Sequence, residues 1–373
     1  MSDVISRRVG TGISYGALPR DEHAALAVKQ AISGLPPGQA VGSVLLFLTE
    51  GYAHKPQEAV RLAAAAAGTP QVFGCCAIAL LTEADWILDA EGAVAMVLPP
   101  EFALRSPQLS LQRGQSPKIL LTLTSPNAAT IAVNQFETPQ FGAICSDQYG
   151  HGPYSIWHSG RIVEREYTHL DFGDCKSQAV VVAEGVRRVS PVMQINQAEG
   201  HTISQVGELG ACDNLDKHLP ANLVSLNDSK AHNLLCAVAE NNSVESIEQG
   251  HYKLLHIVAL DRQRNRIHLS GSARAGRQMF WALRDEQHAQ QVMRQQLKAA
   301  ADQLGHPPVF GMMFPNIGRG PEFYDGAERD LQIFREMFPA TPMIGFYGNG
   351  EIAPGHQLAA LIRHYSTVVA LFA

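Results

Sequence analysis

The chain has 373 residues, of which 46% are hydrophobic and only 17% are charged. This length can bury one large core or two ordinary ones. The low charge is typical of a protein with a sizeable pocket or with a subunit interface, such as that of a homodimer. A large, well-buried monomer is an equal alternative. The formal net charge is −6 with no long basic run, so we expect no nucleic-acid partner.

The chain shows no sign of membrane insertion or secretion. No segment approaches the roughly 20 apolar residues that a membrane span needs. The N-terminus contains Arg7-Arg8 but no apolar signal core. The six cysteines form no Cys-x-x-Cys pair, which argues against a disulfide framework or a zinc site. We therefore expect a cytoplasmic protein that does not bind membranes.

The first elements follow from turn residues and apolar runs. An apolar stripe that starts after Pro19 and ends at Gly34 predicts a helix. The continuous apolar run 44–48 predicts a strand covered on both faces. Pro56 then starts an alanine-rich helix that ends at Gly68.

A short motif repeats along the chain: Thr-Pro, one to three residues, then glycine. Its three copies begin at Thr69, Thr138 and Thr341. Each copy follows a helix-like stretch and, before that, a short apolar run; these runs start at Val44, Ile119 and Val309. The pattern predicts three strand-loop-helix-strand units, with Thr-Pro immediately before the second strand of each.

The remaining segments predict antiparallel structure and one long helix. Frequent glycines in 141–207 predict hairpins, and 252–260 with 266–270 predict one more. Asp285 can cap a long helix. We predict a mixed α/β fold of two similar halves, with mixed sheets covered by helices and a boundary within Asn214–Asn222.

Several of these segments resemble a known family. Gly345-Phe346-Tyr347-Gly348-Asn349-Gly350-Glu351-Ile352, followed by the apolar run 368–372, resembles the end of a FIST domain. Residues 72–83 are similar to the N-terminal half of that family, whereas 257–261 and Gly318-Arg319-Gly320 are similar to its C-terminal half. The resemblance implies an N-terminal half over 1–215 and a C-terminal half over 216–373. One departure is Ile78-Ala79-Leu80, where the family has a small residue and glycine.

Signatures of enzymes are mostly absent from the sequence. It contains no Walker loop, no Gly-x-Ser-x-Gly and no His-Glu-x-x-His. The vicinal pair Cys75-Cys76 lies in an apolar run, where small core residues are the simpler interpretation. We expect no catalytic activity and rank an enzyme that uses Cys75 or Glu351 as the last alternative.

Candidate ligand-binding residues come from the loops after the first strand of each repeat. If the units pack side by side, these loops meet at one edge, as ligand sites do in α/β sheets. They contain Tyr52, His54 and Arg319, and the terminal motif adds Tyr347 and Glu351. The alternatives are a surface arginine at Arg319 and a purely structural turn at Tyr347 and Glu351.

One histidine lies on an apolar strand face. His256 alternates with Leu254, Val258 and other apolar residues, so it needs a hydrogen-bond partner or a metal. A satisfied core histidine is one interpretation, and an axial haem ligand is the other. His251 and His54 are the alternative ligands.

The family resemblance bears on this choice. FIST domains act as sensors of amino acids or other small ligands, and free-standing members resemble NosP-type haemoproteins that sense nitric oxide. The resemblance implies haem b, a gaseous ligand and a separate histidine kinase as the partner in trans. A FIST domain that binds an amino acid or a similar metabolite without haem is the alternative.

Overall fold

The computed structural model describes residues 8–173, 175, 177–219, 233–355 and 360–373. The chain forms two compact units, one from Met1–Ala183 with Gln290–Ala373 and the other from Glu184–Ala289. The division at residue 215 into two family halves stays a prediction, and part of the predicted boundary falls outside the described residues. Within the described part of the chain, no helix combines the length and the apolar character of a membrane span.

The N-terminal part of the first unit alternates strands with short helices. Its strands are β1 (Gly10–Gly16), β2 (Ser43–Thr49), β3 (Val72–Ala77), β4 (Leu80–Thr82), β5 (Trp86–Ile87), β6 (Glu91–Leu98), β7 (Leu120–Thr124), β8 (Gln140–Ile144), β9 (Ile156–His158), β10 (Arg161–Ile162), β11 (Tyr167–Leu170) and β12 (Gln178–Glu184). Its helices are α1 (Glu22–Ser33), α2 (Gln57–Ala67), α3 (Pro107–Gln112) and α4 (Ala129–Val133). The predicted first helix, first buried strand and alanine-rich helix are all confirmed.

The second unit is mostly antiparallel sheet. It contains β13 (Val186–Arg188), β14 (Met193–Glu199), β15 (Thr202–Val206), β16 (Leu209–Gly210), α5 (Ala211–His218), β17 (Leu234–Ala239), α6 (Val244–Glu248), β18 (Tyr252–Asp261), β19 (Arg266–Leu269) and β20 (Gln278–Arg284). The hairpin predicted over 252–270 is formed by β18 and β19.

The rest of the chain begins with the predicted long helix. The elements are α7 (Glu286–Leu304), β21 (Phe310–Pro315), α8 (Arg329–Met337), β22 (Met343–Phe346), β23 (Glu351–Ala353), β24 (Leu361–Arg363) and β25 (Ser366–Phe372). Asp285 caps α7 as predicted, because its Oδ1 accepts a hydrogen bond of 3.0 Å from the amide of His288.

The predicted threefold repeat is present in the first unit. Its copies are β2-α2-β3, β7-α4-β8 and β21-α8-β22, and the two strands of each copy pair in parallel. The proline of each Thr-Pro motif lies one or two residues before the second strand begins. The repeat prediction is therefore confirmed.

The glycine of each copy allows the two parallel strands to approach closely. Gly74 lies opposite Leu46, Gly142 opposite Thr122 and Gly345 opposite Met313. A Cβ atom at these glycines would lie 1.7, 2.0 and 1.6 Å from the carbonyl oxygen of the residue opposite. No side chain fits there, so the motif needs glycine at this position.

The three repeats also exchange hairpins. The hairpin that follows the second strand of each repeat pairs with the second strand of a different repeat: β4–β5 with β22, β9–β10 with β3, and β23–β24 with β8. The next strand returns to its own repeat, so that β6 pairs with β2, β11 with β7 and β25 with β21. The exchange is cyclic, since each repeat contributes a hairpin to one neighbour and receives one from the other.

One hydrophobic cluster joins the three sheets of the first unit. It contains Phe47 and Phe73 from the first repeat, Phe141 from the second, and Phe314 and Phe346 from the third. The mixed α/β class is confirmed. The two compact units, however, are unlike each other, because all three repeats lie in the first unit; the sequence predicted two similar halves.

The sheet of the second unit closes on itself. Its strand order is β13-β20-β14-β15-β19-β18-β17, and β17 also pairs with β20. Its inner face packs around Cys236, Val238, Met279 and Trp281. Because side chains alternate along a strand, Phe280 between Met279 and Trp281 belongs to the outer face.

Candidate functional sites

The loops after the first strands begin in the same way in all three repeats. The polar residue at or just after the end of each first strand donates a side-chain hydrogen bond to a glutamate: Thr49 to Glu91, Ser125 to Glu166, and Asn316 to Glu351. The three pairs differ in burial, because Glu351 is fully buried whereas Glu91 and Glu166 are half-buried. The third loop is therefore the one whose glutamate lies entirely in the interior.

Glu351 is held by groups that donate hydrogen bonds to it. Its Oε1 accepts a hydrogen bond of 2.8 Å from Asn316 Nδ2, and its Oε2 accepts one of 2.7 Å from Ser366 Oγ. Burial raises the pKa of Glu351 to about 8, although these hydrogen bonds act to lower it. The carboxyl group is thus mostly neutral at pH 7 and is fixed in place.

Arg319 is an internal residue with saturated hydrogen bonding. Only 1% of it is exposed, and its Nε lies 2.8 Å from Asp330 Oδ2. Its Nη2 donates to Asp330 Oδ1 at 3.1 Å, and its Nη1 donates to the carbonyl of Ala183 at 2.5 Å. Burial alone would lower the pKa of Arg319, but the charge of Asp330 holds it above its ordinary value. The carboxylate that pairs with Arg319 thus belongs to the chain itself, and Arg319 is not the surface arginine that was the alternative.

Tyr347 belongs to the same buried cluster. It lies beside Glu328, and both residues are about 1% exposed. Burial raises the pKa of Glu328 to about 8, and the nearby charge of Asp330 acts in the same direction. We call Arg319, Tyr324, Glu328, Asp330 and Tyr347 the buried polar cluster. It stabilises the loop from inside, and a ligand could reach Arg319 only by displacing Asp330.

The other two loop residues are not part of this cluster. Tyr52 is buried, and its hydroxyl both donates to the carbonyl of Arg20 at 2.7 Å and accepts from the amide of Arg20 at 2.9 Å. His54 is exposed. Of the five predicted ligand-binding residues, Arg319 and Tyr347 thus lie in one cluster, and Asn316 links Glu351 to the loop of Arg319.

The prediction that His256 lies on a buried apolar strand face is wrong. His256 is half-buried, and Val258 on the same predicted face is 67% exposed. The core contacts of β18 are made instead by Leu255 and Ile257, on the opposite face. His251 is half-buried, and its backbone accepts a hydrogen bond of 2.8 Å from Ser246 Oγ. The strand is apolar on both faces, so the pattern alone did not indicate the buried one.

The vicinal cysteines are core residues. Cys75 and Cys76 are both buried, and burial raises the pKa of each thiol well above its ordinary value. A buried thiol of raised pKa forms little thiolate, which is the nucleophilic species. Among the described residues, no group of three or more His, Cys, Asp or Glu side chains has the arrangement of a metal site.

The second unit contains a cavity that the sequence did not predict. It has a volume of about 380 Å³ and lies on the outer face of the closed sheet. Its lining combines an aromatic pair with charged side chains of both signs: Tyr252, Phe280, Arg187, Arg188, Glu184, Glu248 and His288, with Val186 and Ile247. We call it the arginine–aromatic pocket. Its size is that of a small-molecule site.

Arg188 is positioned in this pocket by its neighbours. Its guanidinium carbon lies 5.2 Å from the centroid of the Phe280 ring, and its Nε donates a hydrogen bond of 2.7 Å to the carbonyl of Ser190. The rings of Tyr252 and Phe280 are 5.2 Å apart in an edge-to-face arrangement. The two terminal nitrogens of Arg188 form no hydrogen bond with any residue that the structure describes, so they remain available to a ligand.

The neighbouring Arg187 is used differently. Its Nε lies 2.8 Å from Asp285 Oδ2, and the amide of His288 donates to the other oxygen of Asp285. Burial acts to raise the pKa of Asp285, but these hydrogen bonds hold it below its ordinary value. Asp285 therefore stays ionised and holds Arg187, which forms part of the pocket lining, in place. Arg188 is then the guanidinium of this pair that is available to a ligand.

Comparison with known proteins identifies part of the chain. Residues 212–354 match the family model of the FIST C domain. An uncharacterized protein of Mycobacterium tuberculosis is 22% identical over 194 residues, which is 52% of this chain and 50% of the relative. An uncharacterized protein of Mycobacterium bovis is 22% identical over 174 residues, or 47% of this chain and 45% of the relative. The chain spans about half the length of these curated relatives.

A shorter match is closer in sequence. F-box only protein 22 of Homo sapiens is 41% identical over 69 residues, which is 18% of this chain and 16% of the relative. FIST is a sensory family rather than a catalytic one. The match over residues 212–354 to the FIST C domain supports the predicted resemblance of the chain to FIST domain proteins.

Proposed function

We propose that this protein is a sensor of a small ligand of amino-acid size, bound without haem in the arginine–aromatic pocket. The sensory character of the FIST family supports a small-ligand sensor in general. The observation that carries the choice of site is Arg188, held over Phe280 at 5.2 Å beside a cavity of about 380 Å³.

The chemistry of the pocket suits a molecule with separate charges. A guanidinium held against an aromatic ring can bind a carboxylate through two parallel hydrogen bonds. Glu248, which is exposed at the pocket, can accept from an ammonium group. Tyr252 and Phe280 offer an apolar surface to a side chain between these charges. An α-amino acid or a similar metabolite carries the matching groups.

A thermal-shift panel of the amino acids and their decarboxylated amines tests this proposal. At least one amino acid should raise the Tm, because a ligand that binds only the folded state stabilises it, and its amine should not. Arg188→Gln should abolish that shift. Arg266→Gln, which removes an exposed charge of the same unit outside the pocket, should keep it. No shift with any amino acid, or the same loss in both variants, would contradict the proposal.

Haem binding and nitric-oxide sensing stay predictions that rest on the family resemblance. The surroundings of His256 do not fit an enclosed haem site, because Val258 beside it is 67% exposed. The absorption spectrum of protein expressed with haem supplied decides the matter. A Soret band that nitric oxide shifts and that His256→Ala abolishes would establish haem, with His251 and His54 next in line if the band survives. Regulation of a separate histidine kinase likewise stays a prediction.

A further inference from the structure

We propose that the second unit has another binding site, for a small phosphate-bearing anion, at the mouth of its closed sheet. The cavity there has a volume of about 320 Å³. Its lining is mainly cationic and polar: Lys253, Arg274, Arg277, Ser272 and Glu240, with Val238, Ala239 and Leu255. We call it the basic mouth. It is separate from the arginine–aromatic pocket and does not depend on the ligand proposed there.

The two cavities lie on opposite faces of the same strands. Tyr252 lines the arginine–aromatic pocket, whereas its neighbour Lys253 lines the basic mouth. Successive side chains of a strand point to opposite faces, so Lys253 shares the face of Leu255, which packs on the inner core. Val238, which pairs with Lys253 across β17 and β18, belongs to that core as well. The basic mouth is thus the open end of the interior, a common place for ligand sites in closed sheets.

The charge of the basic mouth favours anions. Three cationic side chains face one acidic side chain, in a chain whose net charge is −6. The side chains of Lys253 and Arg274 make no hydrogen bond or ion pair with any other residue of the described ranges. Such a local excess of one sign raises the concentration of oppositely charged ligands at the cavity.

One of the three cations is held in place by the backbone. Arg277 Nη1 donates a hydrogen bond to the carbonyl of Glu240. The turn that carries Arg277 is anchored on β14, because Ile195 donates to the carbonyl of Arg277 at 2.9 Å and accepts from the amide of Gly276 at 2.7 Å. A fixed guanidinium, a lysine and a second arginine provide several charge-assisted hydrogen bonds to one multivalent anion. Phosphate oxygens accept such bonds, and the volume of about 320 Å³ is sufficient for a small phosphate-bearing molecule.

Calorimetric titration with pyrophosphate, against sodium chloride at equal ionic strength, tests the basic mouth. We expect saturable binding at one site. The double variant Lys253→Gln/Arg274→Gln should weaken it about a hundredfold, because each of the two lost charge-assisted bonds contributes about tenfold. The matched control Lys217→Gln/Arg266→Gln removes two exposed charges of the same unit and should leave the affinity unchanged.

The outcomes separate a built site from general electrostatic attraction. Absence of saturable pyrophosphate binding would overturn the proposal, as would equal weakening in the two double variants. Sedimentation with phosphatidylserine–phosphatidylcholine vesicles provides a further arm. Vesicle binding without pyrophosphate binding would assign the basic charge to a membrane surface and contradict a soluble ligand. The Arg188→Gln variant should bind pyrophosphate with unchanged affinity even though it no longer binds the amino acid. The proposals for the two sites can therefore be contradicted independently.

Discussion

Two arginines of this chain illustrate opposite uses of the same side chain. Arg319 in the first unit is buried, and Asp330, Tyr324 and the carbonyl of Ala183 take up its hydrogen-bonding groups. Arg188 in the second unit is exposed, and Phe280 with the carbonyl of Ser190 holds it while its terminal nitrogens remain available. Arg319, which the sequence analysis singled out between two glycines, stabilises the structure. Arg188, which the sequence analysis did not single out, is the better candidate for binding a ligand.

The largest effect on the free energy of unfolding is expected from a substitution that breaks the buried polar cluster. Asp330→Ala leaves Arg319 charged and unpaired in the interior, so the free energy of unfolding should fall by roughly 3–5 kcal/mol. Urea denaturation measures this change. Asp302→Ala breaks an exposed ion pair with Lys298 and should change the same quantity by at most about 0.5 kcal/mol. Similar values for the two variants would show that the cluster is not stabilising.

The next effect concerns β22, the strand that ends immediately before Tyr347. Gly345→Ala places a methyl group 1.6 Å from the carbonyl oxygen of Met313, so β21 and β22 must separate. We expect a loss of roughly 2–3 kcal/mol in the free energy of unfolding, typical of overpacking. Gly34→Ala, at an exposed helix end with no atom closer than 3.7 Å, is the control and should be nearly neutral. A neutral Gly345→Ala would contradict the close approach of the strands.

A third effect is the pH dependence that Glu351 gives to stability. Its folded-state pKa of about 8 lies above its ordinary value of 4.5. The folded state therefore holds this proton more tightly, and its contribution to stability is full below pH 4.5 and is lost as the pH rises through 8. Glu351→Gln should flatten the fall in unfolding free energy between pH 5 and 8, whereas exposed Glu336→Gln should not. Equal slopes in wild type and Glu351→Gln would contradict the buried neutral carboxyl.

The smallest effect on stability is expected at the arginine–aromatic pocket. Arg188→Gln removes an exposed cation–π contact, so the unfolding free energy should change by less than about 1 kcal/mol. Urea denaturation of this variant beside Asp330→Ala makes the comparison of the two arginines quantitative. A loss at Arg188 as large as that at Asp330 would mean that Arg188 is also structural.

The repeat could be predicted from sequence because its determinants are local. Thr-Pro and the following glycine act on neighbouring backbone, and each helix follows its strand directly. The hairpin exchange could not be predicted, because β4 carries no residue that distinguishes β22 from the strand of its own repeat. That pairing depends on how the three sheets meet at Phe47, Phe141 and Phe314.

The sites show the same limit. Arg319 was singled out from the sequence as a ligand-binding residue or a surface arginine, and only the fold identifies Asp330 as its buried partner. The face of β18 that carries His256 was wrongly predicted to be the buried one. The strand is apolar on both faces, and the core contacts are made by Leu255 and Ile257 on the opposite face. Arg188 was missed because its ring partner, Phe280, is distant in sequence. Contacts between distant segments are what one sequence does not reveal.

The most direct test of the proposed ligand site is hydrogen exchange with and without the amino acid found by the thermal-shift panel. If the ligand binds in the arginine–aromatic pocket, backbone amides in 186–190 and 278–284 should exchange more slowly, and those in 316–330 should be unchanged. Slower exchange in 316–330 with none in 186–190 would place the ligand at the buried polar cluster and contradict the account.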